Sequence, residues 1–155
     1  MLSLMHSLAL MFHVLAAVIW VGGMFFAYVL LRPVLVTIDA PQRLTIWAKI
    51  FKKFFPWVWF CIIVLLATGF YMIYLMGGFS DIGNHIYAML GLAVIMIVIF
   101  KFVCVAPFRH LCRGVEQEKW EVAAYALGTI RKLVAVNLGL GILTIVAATA
   151  LADRI

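Results

Sequence analysis

The sequence predicts an all-α, polytopic membrane protein: a four-transmembrane-helix bundle with interfacial helices in its cytoplasmic loops. Three observations predict it. Hydrophobic residues make up 68% of the chain and charged residues 12%, with a mean hydropathy of +1.20, whereas a soluble domain carries roughly 25% charged residues. Four apolar stretches are each long enough for the about 20 residues that cross a hydrocarbon core. Lysine and arginine concentrate in the two long connections between those stretches, as cytoplasmic loops require.

The first span runs from about Leu8 to Leu31 and closes at Arg32-Pro33. It has no Lys or Arg before its apolar run and is too long for the apolar region of a signal peptide, so it reads as a retained span. The second is Phe54 to Met76, the third His85 to Pro107, interrupted by Lys101, and the fourth Leu133 to Leu151. At the helical rise each covers roughly 30 Å. Residues 1–155 therefore read as a single four-helix transmembrane domain, with nothing left over for a soluble module.

The connections carry the orientation signal. Arg32, Arg43, Lys49, Lys52 and Lys53 fall in the first long loop or at its ends, and Arg109, Arg113, Lys119, Arg131 and Lys132 in the second. The short connection from Gly77 to Asn84 has none, and Arg154 alone stands in the tails. The positive-inside rule then places both long loops in the cytoplasm and both termini in the periplasm or outside. The net charge of +6 belongs to these loops and implies contact with anionic lipid, not nucleic acid. Asp39 before Ala40-Pro41 reads as a helix N-cap with proline in the first turn. Ile46, Ile50 and Phe51 recur at helical spacing between lysines, as in an interfacial helix leading into the second span. Residues 116–132 read the same way and join the fourth span. Trp47, Trp57, Trp59 and Trp120 fit the cytoplasmic interface and Tyr71, Tyr74 and Tyr87 the outer one.

Candidate functional residues cluster in the outer half. His6, His13 and Trp20 are spaced by seven, close to two helical turns, and so share a face. Ala16, Ala17, Gly23 and Ala27 lie on or beside it, and small residues admit a neighbouring helix. Gly22-Gly23 leaves room for such a helix or for a flat cofactor. His85 opens the third span. A histidine inside a span is costly; it is either a polar residue bonded to a carbonyl or hydroxyl of another helix, or a ligand. Met1, Met5, Met11, Met72, Met76 and Met89 fall in the same half, and imidazole with thioether suits copper, Cu(I) especially. The metal-ligand candidates are thus His6, His13, His85, Met11, Met72, Met76 and Met89. His110 lies in a basic loop and reads as ordinary. The three cysteines, Cys61, Cys104 and Cys112, read as small apolar residues.

A weak internal repeat relates the halves: His13 precedes Pro33 as His85 precedes Pro107, and each proline opens a basic loop ending in Lys52-Lys53 or Arg131-Lys132. Parallel repeats about an axis normal to the membrane would set His13 and His85 face to face at similar depth. Lys101 reads as a snorkelling residue, with Asn137 as its alternative partner, and Asn137 itself as interhelical glue. No carboxylate lies inside a span, which argues against a proton-coupled pump. No catalytic residues are assigned.

The stretch from His13 through Trp20 and Gly22-Gly23 to Leu31-Arg32-Pro33 resembles the copper-resistance protein D (CopD) family of bacterial inner-membrane proteins. The third span, from His85 through Met89, Gly91 and Met96 to Pro107, is similar to the matching span there, and Val136-Asn137-Leu-Gly139 through Thr144 continues the likeness. The resemblance covers nearly the whole chain. It implies a four-helix core, an inner-membrane location and copper handling, with a periplasmic copper carrier or a membrane redox partner, or an oligomer of the chain itself, as associates. The first span also looks like the HemJ-type protoporphyrinogen oxidases, four-helix proteins that bind haem b. Their histidine, tryptophan and glycine match His13, Trp20 and Gly22 or Gly23, which implies haem b as the alternative cofactor; the internal repeat would supply His13 and His85 as its axial ligands. Their third-span His-x-Lys pair is replaced here by His85-Ile86-Tyr87, so the resemblance carries no oxidase activity into this chain. Copper handling leads, ahead of haem binding and of a cofactor-free assembly subunit.

Overall fold

The computed structural model describes residues 2–150, with side chains from Leu4 onward. Met1, Leu151 and Arg154, named above, lie outside the described residues. Among the described residues the regular elements are all helical. Helix α1 spans Leu2–Phe25, a wider π-helical turn follows at Phe26–Leu31, and α2 is Arg32–Leu35. Next come α3 (Ala40–Leu75), a 3-10 turn (Phe79–Asp81), α4 (Asn84–Val105), α5 (Pro107–Glu116) and α6 (Trp120–Ala150). Four segments are long and apolar enough to cross a membrane: 4–35, 40–75, 84–116 and 120–150. The predicted all-α class and its four spans are both observed.

Local chemistry explains the breaks. Pro33 lacks an N–H and its ring crowds the carbonyl four residues back; the π turn immediately before it absorbs that mismatch. Asp39 caps α3 by accepting a hydrogen bond from Gln42 N at 3.3 Å. From there α3 continues unbroken for 36 residues, through Pro56, so the predicted interfacial helix and the second span are one element. In the second half, Pro107 opens α5 as a helix of its own, one that the sequence spacing does not announce. The chain then turns at residues 117–119, where Glu118 adopts φ 53°, before α6 begins. The two halves thus repeat one order: a helix, a short helix led by proline, and a long helix.

Helix α1 packs along α3, α4 along α6, and the pairs join through α3–α6 and α1–α6. Close approaches are made at glycines. A β-carbon on Gly114 would lie 2.9 Å from Ala123 N, and one on Gly141 2.9 Å from Val21. The core is aromatic and concentrated toward the basic end. Trp47, Phe51 and Phe55, one turn apart on α3, stack at 5.1 Å intervals, and Phe55 meets Phe100 and Phe108 edge-on. Trp47, expected at the interface, is buried in this stack. Toward the opposite end the packing thins: none of residues 84–95 on α4 is fully buried, and on α3 only Ile73 is buried beyond Ile62.

Candidate functional site: a histidine held against the second span

The inward face of α1 is the predicted one. Ala9, Ala16, Trp20 and Met24 are buried along it, and His6 and His13 are half-buried. His13 Nδ1 lies 2.8 Å from Thr68 Oγ1 on α3, and its ring rests against Gly69, where a β-carbon would sit 3.4 Å from Cε1. Thr68 Oγ1 also lies 2.6 Å from the Val64 carbonyl. A carbonyl only accepts, so the single hydroxyl proton is donated there. The hydroxyl must then accept from His13, which places the imidazole proton on Nδ1. The Leu65 carbonyl, 3.4 Å from the same hydroxyl, is a further acceptor beside the ring. Nε2 is left with its lone pair free, on a ring held in one orientation. A histidine whose second nitrogen is fixed in this way is arranged as metal-binding histidines are, and also satisfies the reading of a polar residue bonded to a hydroxyl on another helix. Thr68 is not among the sequence candidates, although it is the one Ser or Thr between Phe54 and Met76.

Helix rise sets the depth of the other candidates. Trp20 and Phe100 meet edge-on with centroids 6.2 Å apart and give α1 and α4 a common level. From that level toward the end opposite the basic loops, His13 stands about 10 Å out, Met89 about 16 Å, His6 about 21 Å and His85 about 22 Å. Thr68 is level with His13, so Met72, one turn on, stands about 16 Å out and Met76 about 22 Å. The expected pairing of His13 with His85 at one depth is therefore not what the helices present: His85 is level with His6. The residues form three layers instead. His6, His85 and Met76 are outermost, Met72 and Met89 lie one turn in, and His13 is innermost with Met11 just above it. His6, His85, Met72 and Met89 are half-buried; Met11 and Met76 are exposed.

The residues below His13 are closed to a large ligand. A β-carbon on Gly23 would collide with the Phe54 ring, while Gly22 faces open space on the outside of the bundle. Phe54 thus occupies the slot that Gly22-Gly23 suggested for a flat cofactor. Trp20 lines a small cavity nearby, of about 20 Å³, with Met24, Phe54, Phe100 and Asn137 among its walls. That is space for about one water molecule, so a haem macrocycle does not fit beside Trp20 and Gly23. Asn137 is interhelical glue as expected: its Nδ2 donates to the Met96 carbonyl at 3.2 Å. Lys101 is exposed and not paired with it. Among the described residues, no three His, Cys, Asp or Glu side chains converge to hold a metal ion. The methionine thioethers of the same half are further soft donors beside the histidines.

The family model described as copper resistance protein D matches residues 48–151. The chain belongs to the copper resistance protein D family. No curated protein and no solved structure matches it. The CopD match takes in most of α3 and everything to the end of α6, including Thr68, Met72, His85 and Met89, and begins after His6 and His13. With its four apolar spans, this CopD-family chain is a multi-pass membrane protein.

Proposed function

We propose that this CopD-family protein handles copper as cargo, passing Cu(I) along the layered histidines and methionines at the end of the bundle opposite the basic loops. The observation that carries the reading is the bond of His13 Nδ1 to Thr68 on α3, which orients the ring and, in the neutral imidazole, puts the lone pair on Nε2. His6, His85 and Met76 receive the ion at the rim, Met72 and Met89 hold it one turn deeper, and His13 forms the inner stop. Imidazole and thioether are soft enough to favour Cu(I) over harder ions. Half-burial suits exchange, since a sealed site would hold its cargo and a fully exposed one would lose it to water. Ten of the twelve basic residues lie at the other end or leading to it, which supports a periplasmic rim and termini in a bacterial inner membrane. A periplasmic copper carrier is the natural donor or acceptor there.

The test is competition for Cu(I) between the purified protein and a chromophoric chelator. Wild type should withdraw Cu(I) from the chelator, His13→Ala and Met72→Leu should each withdraw markedly less, and Met5→Leu, on the exposed face of α1, should match wild type. Equal competition by wild type and the His13→Ala/Met72→Leu double variant would place copper elsewhere on the chain.

A further inference from the structure

At the opposite end of the bundle, three arginines on separate elements stand within reach of one another's charge. Arg131 stands three turns into α6, just before the predicted fourth span, and is half-buried. The neighbouring charges that act most on Arg131 are those of Arg32 and Arg43, both positive. The Nε of Arg131 is buried and has no hydrogen-bond partner among them. Arg43 donates to the Ile38 carbonyl at 3.0 Å and the Val36 carbonyl at 3.4 Å, and Arg32 sits 5.1 Å over the Tyr28 ring. These contacts orient two of the guanidinium groups and neutralise neither. One turn beyond Arg43, on the same face of α3, the indole Nε1 of Trp47 is also buried without a partner among the described residues.

We propose that Arg32, Arg43 and Arg131 form a binding site for a phosphate group, supplied by the headgroup of an anionic phospholipid. Guanidinium forks match phosphate oxygens in pairs, and like charges held together call for an anion between them. Arg32 ends the first predicted span and Arg131 precedes the fourth, so the three stand where headgroup phosphates lie. The site ties α2, α3 and α6 to one lipid, across the join between the two helix pairs. It is independent of the copper reading, being at the other end of the bundle.

The test uses the purified full chain in an uncharged detergent, stripped of lipid. Its melting temperature is followed as dioleoylphosphatidylglycerol, dioleoylphosphatidylcholine or inorganic phosphate is titrated in. Phosphatidylglycerol should raise it saturably and phosphatidylcholine should not. Arg131→Gln and Arg32→Gln should each weaken the apparent affinity for phosphatidylglycerol on the order of tenfold, while Arg109→Gln, exposed on α5, should leave it unchanged. A rise with inorganic phosphate that Arg131→Gln abolishes, with nothing added by phosphatidylglycerol, supports the same site with free phosphate as its ligand. The proposal is overturned if neither anion moves wild type, if phosphatidylcholine protects as well as phosphatidylglycerol, or if phosphatidylglycerol protects both variants as well as it protects wild type. Should Arg131→Gln not fold, Arg32→Gln carries the comparison alone.

Discussion

A single hydroxyl proton decides what His13 offers. Because Thr68 donates to Val64, it accepts from Nδ1, and Nε2 is the atom left to bind. Thr68→Val should therefore keep the fold and weaken Cu(I) binding by about 10- to 100-fold, the usual effect of removing such a supporting bond; Thr68→Ser should restore it. Chelator competition on the two variants reads the difference, and equal affinities would make the bond structural only. The histidine was legible in the sequence as a costly polar group in an apolar span. Its partner was not, since one threonine in a helix also bonds its own backbone and announces no neighbour. Asn137 gives a contrasting case. Its Nδ2 has a partner but its Oδ1 is buried without one among the described residues, so Asn137→Leu should change the melting temperature little or raise it, because an orphaned acceptor leaves with the bond.

At the scale of the element, α1 and α3 show how a helix pair is fitted. Gly23 is pressed against Phe54, so Gly23→Val should cost about 1–3 kcal/mol by overpacking, while Gly22→Ala, facing open space, should cost little. Phe55→Ala, at the centre of the aromatic stack, should cost about 3–5 kcal/mol. Melting of the three variants in one detergent ranks them. The sequence showed the spans because apolar length is a direct requirement of the bilayer, and the Asp39 cap because its chemistry is local. The same locality hid the burial of Trp47: a tryptophan beside basic residues has the composition of an interface residue, and only the neighbouring helix shows that its ring is stacked in the core. The depth of His85 was hidden for a related reason. Similar spacing from a proline sets a position along one helix, but the offset between two helices is set by packing, here by Trp20 against Phe100.

The whole molecule is graded from end to end. Aromatic packing and the described arginines occupy one end; half-buried histidines and methionines occupy the thinner end. The proposed orientation follows from the same asymmetry, and a C-terminal reporter that requires export should be active, whereas one active only in the cytoplasm would reverse the bundle. Binding of Cu(I) at the layered end through imidazole and thioether is read by X-ray absorption at the copper edge of the Cu(I)-loaded protein. Nitrogen and sulfur scatterers should appear together, with the imidazole contribution reduced in His13→Ala and the sulfur contribution reduced in Met72→Leu/Met89→Leu. A spectrum without sulfur, unchanged by either variant, would contradict it.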